Sequence, residues 1–363
     1  MRLPVFDERG GAFARLRNRR VLLYWPHGLG DLVHLGYVAP LLDPTNTYFI
    51  TRFGDDFVHL YDGCENVTPL YSGVRAIDDG GSLGARHLGI DFKKIRNREM
   101  TLVVPEPLRA RIAEARIDAV LYTDYPEREG KTAFPFQTKA RALAQELVSR
   151  ERLAESGLDA PLRSALTLAA PADVTALVEE RLRTFVAPGE RLIVLSPGGH
   201  SALRKVWPEA EVQSFAEHMR ARDSRNRVLT IDERSAAESG RDRELAPTTH
   251  DLFAGIEAPF AHVLLALIRA SDAFAGVPSG PLHAALAAGG RPVVGIWLAH
   301  HPDWYDEPCR ESIHLVGPYV YAKRFERRNA TITRPERFHT RVVPFPHRTP
   351  QASDVAQAFE LLG

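Results

Sequence analysis

The sequence predicts an α/β fold made of two Rossmann-like domains, and three stretches carry that expectation. A strand-like run, a glycine-containing turn and a helical pattern follow one another from Arg20 to Leu42. The same succession recurs from Arg191 to Arg222, where the apolar run Arg191 to Leu195 leads into Ser196-Pro197-Gly198-Gly199-His200-Ser201. From Val263 to Trp297 the order is helix, strand, turn, helix, strand. Short apolar runs alternating with helical periodicity are the pattern of βαβ units on a parallel sheet. The length, 363 residues, suits two domains of ordinary size. The expected division is 1–172, then 173–350, with a terminal helix in 351–363.

Composition narrows the class. Hydrophobic residues make up 44% and charged ones 25%, which fits a soluble globular protein rather than a disordered or membrane-embedded one. Lys and Arg number 46 against 46 Asp and Glu, so no overall charge draws the chain to nucleic acid. The two cysteines, Cys64 and Cys309, lie far apart and form no Cys-x-x-Cys spacing, which indicates neither a zinc site nor a disulfide framework. The first twenty residues lack an apolar core of signal-peptide length. No run approaches the roughly 20 apolar residues needed to cross a bilayer. The expected location is cytoplasmic.

Taken in order, residues 1–19 read as a polar lead-in. Arg20 to Trp25 is a buried-strand candidate, followed by Pro26-His27-Gly28-Leu29-Gly30-Asp31-Leu32-Val33-His34 and a helical pattern to Leu42. Val33 occupies the third glycine position of a dinucleotide fingerprint, which speaks against an NAD site. Asp31 at a helix start is either an N-cap or a carboxylate stabilised there for chemistry. Thr47 to Thr51 and Val67 to Tyr71 are further strands, with a short helix from Asp55 to Tyr61 between them. Ala76 to Gly89 reads as a loop. Phe92 to Arg98 is a basic cluster, read as either a solvated helix face or an anion contact. Ala119 to Thr123 is strand-like, Phe134 to Leu147 helical, and Arg150 to Asp173 the exit from the first domain.

In the second half, Thr175 to Phe185 is a helix and Glu209 to Arg222 another, the latter preceded by Lys205-Val206-Trp207-Pro208. Arg227 to Asp232 is a strand. Apolar spacing through Leu264, Leu265, Leu267 and Ile268 gives an amphipathic helix. Asp272 to Gly276 and Pro292 to Trp297 are buried strands, and Leu282 to Ala288 is the helix between them. The turn Pro278-Ser279-Gly280-Pro281 therefore joins a strand end to a helix start. Unpaired amides and the helix dipole make such a place an anion site, and an ordinary helix cap is the competing reading. The His and Asp residues of Ala299 to Asp306 match no metal-ligand spacing. Tyr319 to His347 reads as irregular, and Asp354 to Leu362 as a terminal helix.

Three of these stretches resemble glycosyltransferase family nine, the ADP-heptose:lipopolysaccharide heptosyltransferases. They are Gly28-Leu29-Gly30-Asp31-Leu32-Val33-His34, the loop leading to Lys205 and Trp207-Pro208, and Ser279-Gly280 with His283, Ala284 to Ala288 and Pro292-Val293-Val294. The resemblance implies a GT-B architecture, two Rossmann-like domains facing across a cleft, and inverting transfer of a heptose-like sugar without metal or cofactor. By it Asp31 is the general base. Gly199, Ser201, Lys205, Ser279, Gly280 and His283 bind the donor, an ADP-sugar by preference. Gly30, His34, Lys93 and Arg96 contact a glycan, glycolipid or lipopolysaccharide-type acceptor. An acidic residue after the Arg227 to Asp232 strand (Asp232, Glu233 or Glu238) would meet the ribose. Such an acceptor also implies peripheral contact with the inner membrane. Pro278 departs from the family, which has Asp there. That departure keeps two alternatives open, an inactive nucleotide-sugar-binding protein and a GT-B-fold sugar-nucleotide epimerase.

Overall fold

Continuous apolar runs, rather than alternating ones, mark strands buried on both faces of a parallel sheet. Each half of this chain folds around such a sheet. The structure is a computed structural model. It describes residues 3–7, 13–24, 28–52, 55–73, 93–94, 100–101, 106–122, 138–156, 162–198, 206–298, 301–302, 307, 309, 311–318 and 341–362. Two units separate, Met1–Thr167 and Leu168–Gly363.

The first unit holds strands β1 (Val5–Asp7), β2 (Arg20–Tyr24), β3 (Thr47–Thr51), β4 (Val67–Pro69), β5 (Lys93–Lys94), β6 (Met100–Thr101) and β7 (Ala119–Tyr122). Its helices are α1 (Leu29–Val38), α2 (Glu106–Glu114), α3 (Lys139–Leu147) and α4 (Arg150–Ser156). The main sheet runs β1-β7-β2-β3-β4, with every pairing parallel. Leu22 of β2 sits in register with Val120 on one side and Phe49 on the other. These three join Leu108, Ile112 and Ile117 in one apolar cluster.

Two expectations need correcting here. The polar lead-in expected over residues 1–19 contains packed elements: Val5–Asp7 pairs with β7 at the sheet edge, and Phe13 is buried. Three residues are too few for a period to register. Within the basic cluster, Lys93–Lys94 is not part of a helix face but a strand antiparallel to Met100–Thr101, and the rest of the cluster lies outside the described residues. The loop read from Ala76 to Gly89 lies outside the described residues.

The second unit contains α5 (Ala172–Leu182), β8 (Arg191–Ser196), α6 (Glu209–Arg222), β9 (Asn226–Thr230), α7 (Thr249–Phe253), α8 (Phe260–Ala270), β10 (Ala273–Gly276), α9 (Gly280–Ala288), β11 (Val293–Trp297), β12 (Ser312–Val316), β13 (Arg341–Pro344) and α10 (Ala352–Glu360). The sheet order is β13-β12-β11-β10-β8-β9, again parallel throughout. Ile193, Leu195, Ala273, Ala275, Val294 and Ile296 share a face, as a period of two requires. Trp207, Phe215 and Met219 from the α6 side, with Val355 and Ala356 of α10, close over that face. Each fully buried large side chain contributes about 1.5–3 kcal/mol relative to exposure.

The irregular stretch expected from Tyr319 to His347 contains a strand. Arg341–Pro344 pairs with β12, its residues only partly buried, so no apolar run announces it. Among the described residues no helix is long and apolar enough to cross a membrane.

Candidate functional site

In open parallel sheets, ligands bind beyond the carboxyl ends of the strands, where the strand order reverses direction. The first unit reverses at β2: β3 and β4 follow on one side, and β7 lies on the other. The second reverses at β8, with β9 on one side and β10 on the other. Each reversal point holds a pair of polar side chains.

In the first unit the pair is Asp31 and Lys139. Asp31 is the third residue of α1, directly after β2, and is the one α1 residue that is not buried. It is not the N-cap. Gly28 holds that place in extended conformation without a side-chain hydrogen bond, and the Asp31 amide donates to its carbonyl at 3.1 Å. Among the described residues, a side chain at Gly28 would meet no atom within 4 Å. The glycine thus leaves backbone open to approach. The Asp31 carboxylate instead forms an ion pair with Lys139, the first residue of α3. The pair ties the first turn of α1, the helix after β2, to the start of α3, the next described helix after β7. Sequence reading misses Lys139, which lies 108 residues from Asp31.

In the second unit the pair is Ser196 and Ser279. Ser196 ends β8, and its hydroxyl lies 3.3 Å from that of Ser279, the N-cap residue of α9. The Ser279 hydroxyl donates to the Val277 carbonyl at 3.1 Å, so it accepts from Ser196 and caps no amide. Pro278 and Pro281 have no N–H to give. The His283 amide already bonds the Ser279 carbonyl at 3.1 Å. That leaves the amides of Ser279, Gly280 and Leu282 as the donors at the positive end of α9. Gly289 closes the helix with φ of 61°, a conformation in which glycine meets no penalty.

Behind α9 runs a buried chain of hydrogen bonds. Trp297 Nε1–H donates to His314 Nδ1 at 2.8 Å. That fixes His314 Nε2 as the protonated nitrogen, donating to the Ser312 hydroxyl at 3.2 Å. Ser312 in turn donates to the Cys309 carbonyl at 2.8 Å. A Cβ at Gly295 would lie 2.5 Å from Trp297 Nε1 and 2.6 Å from His314 Nδ1, so only glycine leaves room for this contact. The His283 ring packs toward Trp297, 6.4 Å between centroids, and is 5% exposed.

The other sequence-predicted residues fall as follows. Gly30 and His34 are buried within α1, and as they stand neither offers surface to an acceptor. Lys93 lies on β5. Arg96, Gly199, Ser201 and Lys205 lie outside the described residues. On either side of 199–205, the Trp207 amide donates to the Pro197 carbonyl at 2.7 Å. The Trp207 indole, fully buried, donates to the Pro350 carbonyl at 2.9 Å.

Two of the acidic candidates after β9 have internal partners. Asp232 accepts from buried Arg241 at 2.8 Å and from Arg234 at 3.0 Å, and Arg241 also grips Glu209 at 2.6 Å. Burial alone would raise the Asp232 carboxyl, but the hydrogen bonds from Arg234 and the charge of Arg241 outweigh it and hold it low. Glu238 caps the Ser235 amide and hydroxyl, both at 2.8 Å.

Comparison with known proteins bears on the family and the fold. The family model described as glycosyltransferase family 9 (heptosyltransferase) matches residues 117–331, more than half of the chain. No curated protein matches it. Among solved structures, the family 9 glycosyl transferase from Veillonella parvula superposes with a TM-score of 0.57 at 14% identity, over 96% of this chain and 98% of that one. The E. coli ADP-heptose lps heptosyltransferase II gives 0.55 at 14%, over 94% and 98%. The E. coli heptosyltransferase WaaC with ADP gives 0.51 at 13%, over 95% and 100%. At such identities the likeness speaks for the fold, and that fold is GT-B. With the family model spanning more than half of its length, the chain belongs to glycosyltransferase family 9 and is a glycosyltransferase.

Proposed function

We propose that the protein transfers a heptose-like sugar, with inversion, from an ADP-sugar to a glycan or lipopolysaccharide-type acceptor. The observation that carries this reading is Asp31, a carboxylate at the carboxyl edge of the first sheet, unburied on an otherwise buried helix. It acts as general base. The acceptor oxygen attacks the anomeric carbon as its proton passes to Asp31. The bond from that carbon to the diphosphate breaks, and its electrons leave with ADP. A base so placed contributes about 10²–10⁴ in rate.

The departing diphosphate is met by the Ser279, Gly280 and Leu282 amides and, by family resemblance, by Lys205. These donors neutralise the developing charge without a metal. The preference for an adenine nucleotide is supported by the E. coli relatives, one described with ADP and the other as acting with ADP-heptose. Pro278 supports a second reading, in which the protein binds a nucleotide sugar without turning it over, since two prolines thin the donors at α9.

The test is ADP release from ADP-heptose with a heptose-free lipopolysaccharide acceptor, alongside a thermal-shift panel of ADP-, GDP-, UDP- and dTDP-sugars. Acceptor-dependent release with an ADP-selective shift supports transfer. A shift without release favours the binding protein, and conversion of the ADP-sugar into a different ADP-sugar with no acceptor present favours an epimerase.

A further inference from the structure

We propose that Lys139 is the positioning residue of Asp31, holding the general base toward the crevice between β2 and β7; this rests on the function proposed above. Three features of the structure converge on it. First, the lysine stands where local electrostatics disfavour it. As the first residue of α3 it sits at the positive end of the helix dipole, a place that favours anions. Asp31, in the first turn of α1, sits where an anion is favoured. A residue placed against local preference marks a position where function overrides it.

Second, the structure supplies what a purely structural lysine would provide by other means. The start of α3 is capped by Thr138, whose hydroxyl accepts from the Arg141 amide at 3.4 Å. Ala140, Leu143, Ala144 and Leu147 of α3 are all buried, so apolar packing already seats the helix. Neither the cap nor the packing calls for the ion pair.

Third, the pair has the exposure of a working group. The side chains of Lys139 and Asp31 are 20% and 21% exposed, shielded enough to hold one geometry and open enough to meet a substrate. An unrestrained aspartate has two torsions to search, and the ammonium fixes one carboxylate oxygen. The ammonium neutralises the carboxylate in the resting state and stays beside it as the proton arrives, so no other group need move.

The experiment compares Lys139→Met and Lys139→Arg with the unaltered protein in steady-state release of ADP from ADP-heptose, with melting temperature recorded for each. Lys139→Met is expected to lower kcat about 10- to 100-fold, part of what the base itself contributes. The KM for ADP-heptose should stay within about twofold, because the lysine acts on the transition state and not on donor binding. Lys139→Arg, which keeps the cation, should restore most of the loss.

Wild-type kcat in a folded Lys139→Met protein overturns the proposal. So does a loss that arginine leaves unrepaired while folding is intact, or a parallel rise in KM. If Lys139→Met fails to fold, the lysine is structural and the proposal falls. If the unaltered protein releases no ADP, the proposed function fails first and takes this inference with it.

Discussion

The two units present the same local architecture at the same place and fill it with opposite chemistry. In each, a parallel strand ends at or beside the reversal of its sheet, a turn follows, and a helix begins. The turn after β2 holds a charged pair, Asp31 and Lys139. The turn after β10 holds neutral groups, the Ser196 and Ser279 hydroxyls and the first amides of α9. A helix start can stabilise a carboxylate of the protein itself or an anion that arrives with a ligand. The first unit has used its helix start on an internal carboxylate, which suits a base. The second has left its helix start to a visitor, which suits a diphosphate.

Replacing Asp31 with Asn breaks that contrast most severely. It removes the proposed base while keeping size and one hydrogen-bond acceptor. ADP release from ADP-heptose should fall by about 10²–10⁴. Stopped assays over a range of acceptor concentrations would show the loss in kcat.

The next effects are on stability and lie in the second unit. Gly295→Ala drives a methyl group into the Trp297–His314 contact. Overpacking together with a broken buried hydrogen bond should cost about 2–4 kcal/mol in urea unfolding. Arg241→Met leaves the Asp232 carboxylate largely buried with its guanidinium partner gone. A loss of about 3 kcal/mol is expected, less if Arg234 swings in to compensate.

The smallest effect is on pH. The Asp232, Asp251 and Asp354 carboxyls are all held below their ordinary value; burial opposes that, and hydrogen bonds outweigh it. A carboxyl depressed in the folded state gives stability that is full above its unfolded value, about 4, and is lost as pH falls through the folded value. Melting temperature should therefore hold from neutral pH to about 5 and decline below about 4. Asp232→Asn should flatten that decline.

What could be read from the sequence follows from how far each signal reaches along the chain. β2 with α1, and β10 with α9, are strong local patterns: an unbroken apolar run, a turn rich in Gly or Pro, then small or apolar residues at helical spacing. They were legible, and so was the placing of Asp31 and Ser279 at strand ends. β1 and β13 were not, because short, partly exposed edge strands draw their pairing from neighbours distant in sequence. The Asp31 cap reading fails by three residues, since Gly28 takes the cap and Asp31 is the third residue of the helix. Lys139 escaped for a different reason. Nothing near it reveals that the order of strands brings the end of β7 beside the end of β2. The tight ties of Asp232 to Arg241 and Arg234 were likewise invisible, and they turn a candidate ribose contact into part of a salt-bridge network.

The proposed division of labour between the two units is tested most directly by titrating ADP into three proteins: the unaltered chain, Asp31→Asn and Lys205→Ala. The account predicts that Asp31→Asn binds ADP within about twofold of the unaltered chain, because it touches only the base. Lys205→Ala should weaken binding by about tenfold or more, because one cation on the diphosphate is gone. Loss of ADP binding in Asp31→Asn with unchanged binding in Lys205→Ala would contradict it.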